Sequence, residues 1–120
     1  MQPSPKVKYR GIFINDEWPS FGGWAKARFG GINSDMYAHL FELLLRLKAN
    51  FLWPAMWDSA FNEDDPKCPE LADMYGIMMG TSHHEPMMRA HKEYTRRRNK
   101  IGPWDYNVNK TNLDSFSVWN

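Results

Sequence analysis

The chain has 120 residues, 15 basic against 14 acidic side chains, a formal net charge of +1, and an unusual load of six Trp and eight Met. That length bounds it to one modest domain at most, and the balanced charge gives no overall pull toward nucleic acid or an anionic membrane. One cysteine, Cys68, excludes an intrachain disulfide, and no apolar run approaches the roughly 20 residues that span a bilayer.

Pro3 and Pro5 keep the start extended, without the apolar core of a signal peptide. Tyr9 to Asn15 reads as a strand. Its run Gly11-Ile12-Phe13-Ile14 is continuous rather than alternating, which predicts a strand covered on both faces. Trp18 to Gly31, with Pro19, paired glycines and several aromatics, reads as a functional loop.

Ser34 is the expected N-cap of a helix over about residues 35–48. Met36, Leu40, Leu43, Leu44 and Leu47 share its apolar face, widened by Tyr37 and Phe41; His39 falls on the solvated stripe. Ala49 to Trp53 is a second strand, stopped by Pro54. Residues 55–69 read as a polar loop whose acidic cluster Glu63-Asp64-Asp65 lacks the alternation of a calcium site and is expected to be solvated. Glu70 to Tyr75 is a short helix with Gly76 at a left-handed C-cap, and Ile77 to Gly80 a third buried strand. Pro86 opens a helix to about Lys100, whose Lys92, Arg96, Arg97, Arg98 and Lys100 form a solvated outer face.

Strand and helix therefore alternate, one helix in each gap, and predict an α/β fold of parallel βα units. A (β/α)8 barrel takes about 250 residues, and three units leave a sheet edge exposed. The chain thus reads as the opening of a larger domain: a partial barrel made of its first three units.

Three polar clusters follow the strands, where barrel enzymes place their sites. Asn15-Asp16-Glu17 follows the first, Trp53 to Trp57 ends the second, and His83-His84-Glu85 with Arg89 follows the third. Asp16, Glu17 and Glu85 are the carboxylates available for acid–base work, since glycoside hydrolysis needs two across one bond. Asp16 or Glu17 could instead cap a loop or pair with Arg10. Trp53 and Trp57 suit either a sugar platform or an apolar lid. His83 and His84 point apart on an extended segment, so hydrogen bonding is a better reading than metal ligation. Arg89, one turn into a helix, suits an anionic group.

Lys8 to Glu17, Phe41 to Trp57 (FELLLRLKANFLWPAMW) and Met79 to Arg89 (MGTSHHEPMMR) together resemble the catalytic domain of glycoside hydrolase family 115, over essentially the whole chain. The resemblance implies an inverting xylan α-1,2-glucuronidase that removes glucuronic acid or its 4-O-methyl ether, with no metal or organic cofactor. Asp16 and Glu17 match the family's first-strand motif; His83, His84, Glu85 and Arg89 match its third. Asn15, Trp53, Trp57, His83, His84 and Arg89 are then the substrate-binding candidates.

The resemblance also implies glucuronoxylan or its oligosaccharides as partner, together with the remaining barrel strands and accessory domains of a full-length enzyme. Such an enzyme is expected to be secreted or periplasmic. Ser117-Val118-Trp119-Asn120 departs from the family's continuing helix and reads as a truncated gene end. Two other readings compete: a non-catalytic sugar-binding remnant, and a metal-dependent barrel hydrolase using His83, His84 and Glu85.

Overall fold

In the computed structural model, residues 3–81, 90, 92, 93, 95 and 96 are described. Three short strands, β1 (Gly11–Ile14), β2 (Phe51–Pro54) and β3 (Met78–Met79), form one parallel sheet in the order β1-β2-β3. Four helices intervene: α1 (Ser20–Phe29) and α2 (Ser34–Arg46) before β2, then α3 (Phe61–Asp64) and α4 (Lys67–Tyr75) before β3. The expected parallel pairing and α/β class are present, but each gap holds two helices rather than one. None of the helices among the described residues is long and apolar enough to cross a membrane.

The first extra helix, α1, occupies most of the stretch expected to be a loop. Two glycines lower its intrinsic propensity, but packing offsets this: Ala25 is fully buried, and Phe21 and Phe29 lie against the core. Gly30 ends it at φ 80°, a left-handed conformation that glycine adopts without penalty, and its N–H donates to the Lys26 carbonyl. The second correction concerns residues 55–69, where α3 forms and α4 starts at Lys67. Pro69 does not prevent this, because a first-turn residue needs no N–H for the helix ladder. Gly76 closes α4 at φ 68°, as the sequence suggests.

Helix α2 is capped by Asn33 rather than Ser34; the Asn33 side chain accepts from the Met36 amide at 3.1 Å. Its buried stripe is also rotated from the expected one. Met36, Tyr37, Phe41 and Leu44 are buried, whereas Leu43 is exposed and Leu47 is 64% exposed. The rings explain the rotation: Tyr37 packs on Phe61 at 4.8 Å and Phe41 on Tyr75 at 6.0 Å, so the aromatic side of the helix takes the centre of the interface. His39 is exposed, as expected, with Nδ1 donating to the Asp35 carbonyl at 2.8 Å.

The two sheet faces differ. Leu52 is fully buried in the cluster formed with α2 and α4, and Ile14 and Met79, on the same face by register, pack against that cluster. The other face carries aromatics: Phe13 pairs with Trp53 at 6.1 Å, and Phe51 lies between Trp53 and Tyr9. Phe13 remains 41% exposed and Met78 is also exposed. Coverage of β1 on both faces, read from its continuous apolar run, is therefore not found among the described residues. Among the described residues, helices pack on one face alone.

Candidate functional site

Past the end of β1, successive residues keep turning to opposite sides. Asp16 follows the parity of Ile14, toward the helices, and is fully buried. Its Oδ1 accepts the Met56 amide at 2.7 Å and its Oδ2 accepts the Ser59 hydroxyl at 2.8 Å. Burial lifts its carboxyl above the ordinary range, and the hydrogen bonds from Ser59 and the Met56 amide oppose that rise without cancelling it. Both oxygens of Asp16 thus hold the turn after β2, in which Met56 takes a positive φ of 53°. That is a loop-fixing geometry, one of the two uses the sequence leaves open for this residue.

Glu17 is only half-buried, and its Oε1 accepts from the Asn15 side chain. It is the carboxylate of the first-strand motif that reaches solvent. Arg10 pairs with neither acid. Its guanidinium donates to the carbonyls of Val7, Lys8 and Lys48 at the opposite end of the strand, where Asn50 also binds the Arg10 amide and the Lys8 carbonyl.

The two tryptophans of the second motif separate. Trp53 is part of the aromatic sheet face, half-buried between Phe13 and Phe51. Trp57 lies beyond the strand end and is 60% exposed. Next to it in the chain, Met56 lines a hollow with about 300 Å³ of empty space, together with Phe61, Asn62, Met79, Gly80 and Thr81. This hollow opens at the ends of β2 and β3. His83, His84, Glu85 and Arg89 follow Thr81 in the chain and lie outside the described residues.

The acidic cluster is not the solvated loop its composition suggests. Asp65 accepts the Ser34 amide at 2.8 Å and the Lys67 amide at 3.0 Å, joining the starts of α2 and α4. Its bonds to Ser34, then to the Lys67 amide, hold its carboxyl below the ordinary range. Asp64 accepts the Ala60 amide at 2.8 Å and Arg96 Nη2 at 2.8 Å; Glu63 lies 3.6 Å from Arg96 Nη1. Lys92 Nζ lies 3.0 Å from the Asp58 carbonyl and 3.2 Å from its carboxylate. Lys92 and Arg96, expected on a solvated outer face, keep side chains 38% and 42% exposed but are also tied to the segment after β2. Arg97, Arg98 and Lys100 lie outside the described residues.

Residues 56–64 thus form a hub, held by Asp16 from the β1 side and by Lys92 and Arg96 from beyond β3. Ser59 and Asp58 carry no sequence signal for such a part: each is an ordinary loop residue until Asp16 is brought to the first and Lys92 to the second. Beneath the hub, burial first and the nearby charges of Asp65 and Asp64 second push the Cys68 thiol up to about 12, so it stays protonated at neutral pH. Among the described residues, no three His, Cys, Asp or Glu side chains converge as a metal site would require.

Comparison with known proteins agrees with the motifs. The sequence profile of Glycosyl hydrolase family 115 matches residues 2–119, and the chain belongs to that family of glycoside hydrolases. A search of curated proteins found no match.

Proposed function

We propose that this member of glycosyl hydrolase family 115 supplies the first three βα units of a (β/α)8 barrel that removes (4-O-methyl)glucuronic acid from xylan with inversion. The family match across residues 2–119 carries the reading. Support for the barrel comes from sequential parallel strands with α2 and α4 on one sheet face. A barrel repeats that arrangement around its axis, whereas a doubly wound sheet places helices on both faces. The aromatic face would then point inward, toward the strands still to come.

An inverting hydrolase needs an acid at the leaving oxygen and a base for water, with carboxyl groups about 6.5–9.5 Å apart. Glu17 and Glu85 are the pair proposed to face the bond, since Glu17 is the acid of its motif that reaches solvent. Asp16 holds the rim in place behind it. His83, His84 and Asn15 would bind sugar hydroxyls, and Trp53 and Trp57 would offer apolar faces. Arg89 would meet the uronate carboxylate. No metal or organic cofactor enters this reaction.

The test joins the chain to the later barrel units and accessory domains of a family member and supplies glucuronoxylan. The expected result is free uronic acid appearing first as the β-anomer by proton NMR, with none released by the 120-residue chain alone. Arg89→Ala should weaken turnover of the charged substrate by about 1.5–3 kcal/mol. No uronic acid from the completed protein would sink the function; the α-anomer appearing first would sink inversion.

A further inference from the structure

Trp18 is the residue after Glu17, and its indole is 47% exposed. It is seated on Gly22 in the first turn of α1. A methyl group at Gly22 would run into indole atoms Cδ2, Cε2 and Nε1, so the ring lies directly on the glycine backbone. The Gly22 amide in turn donates to the Glu17 carbonyl at 3.0 Å. One glycine therefore fixes both the backbone of the candidate acid and the ring beside it. The ring keeps an exposed apolar surface without needing to be ordered on binding.

We propose that Trp18 is a stacking platform for a neutral xylopyranose of the xylan main chain, next to the branch point. This rests on the function proposed above. The choice of a neutral sugar follows from charge. The carboxylate adjoining Trp18 in the chain is that of Glu17, and the first cation of α1, Lys26, lies a full turn beyond Gly22, so a uronate carboxylate would be disfavoured at the ring where an uncharged sugar is not. Xylopyranose carries no exocyclic carbon on its ring, and its flat C–H faces suit an aromatic surface. Trp24 is an internal control. It lies two residues beyond Gly22, about 200° around the helix, and packs between Phe21 and Phe29.

The test is calorimetric titration of the 120-residue chain with xylohexaose, an unbranched neutral oligomer, with circular dichroism of each variant. The expected results are binding by the parent chain and a loss of about tenfold in affinity for Trp18→Ala. Trp18→Phe should retain part of the affinity, Gly22→Ala should lose affinity by displacing the ring, and Trp24→Ala should match the parent. If Trp18→Ala alters the dichroism, Trp18→Phe and Gly22→Ala decide the matter. No binding by the parent chain would overturn the proposal, as would equal losses for the Trp18 and Trp24 variants. Because xylohexaose carries no uronic acid, the two proposals fail separately: a Trp18-dependent binder that releases no uronic acid when completed keeps the platform and loses the hydrolase.

Discussion

Asp16 illustrates how a carboxylate in a candidate acid–base motif serves architecture instead. Its two oxygens satisfy the Met56 amide and the Ser59 hydroxyl in a site closed to solvent. Asp16→Ala would strand both donors, at about 1–3 kcal/mol for each buried group left unpaired. Asp16→Asn should recover most of that loss, because its amide oxygen can accept from Met56 and its NH2 can donate to the Ser59 oxygen. The pH dependence has a definite sign. A folded pKa above the unfolded value, about 3.9 for Asp, means the native state binds more protons across the intervening window. The Asp16 contribution to stability therefore falls as pH rises from that value through the raised one. Chemical denaturation of parent and Asp16→Asn across that window should show the decline in the parent and its absence in the variant. The same pH dependence in parent and Asp16→Asn across that window would contradict this role for the residue.

At the scale of elements, legibility followed the kind of force involved. The strands and α2 could be read because apolar runs and a helical stripe are local patterns. Gly76 could be read because a left-handed cap favours glycine at one position. Helix α1 could not, because its glycines argue against a helix until Trp18 covers Gly22 and the core takes Ala25. The parts played by Asp65 and Asp64 could not either, since their partners are set by the fold: Ser34 lies 31 residues from Asp65, and Arg96 lies 32 from Asp64. Asp65 accepts the first amide of two helices that pack on each other, Ser34 of α2 and Lys67 of α4, so its loss should be felt in both. Asp65→Ala should cost about 1–4 kcal/mol, from two lost hydrogen bonds to helix-start amides of about 0.5–2 kcal/mol each. Thermal unfolding followed at 222 nm measures it. The depressed pKa predicts the matching acid behaviour: stability present above the ordinary Asp value and lost as pH falls through the folded one. No change in melting temperature for Asp65→Ala would show that these two bonds are not limiting.

At the scale of the whole molecule, the proposed barrel makes the three-stranded parallel sheet one part of its wall, with two unlike sides. One side rests on α2 and α4. The other carries Tyr9, Phe13, Phe51, Trp53 and Met78, with Phe13 and Met78 open to solvent. The candidate site was legible in two of its clusters: Asn15-Asp16-Glu17 directly follows β1 and Trp53 to Trp57 ends and follows β2, each after an apolar run, while His83, His84, Glu85 and Arg89 lie outside the described residues. Which member of a cluster faces solvent was not, because Asp16 and Glu17 are distinguished only by the parity of the chain beyond Ile14. The most direct test of the wall is the cost of truncating Phe13 in two contexts. In the 120-residue chain, Phe13→Ala should cost about 1 kcal/mol, the scale of its ring contact with Trp53. In a protein that joins this chain to the later barrel units, the same change should cost about 3–5 kcal/mol, as for a phenylalanine removed from a packed core. Equal small losses in both proteins, measured by urea unfolding, would contradict the barrel and leave the aromatic face on the outside.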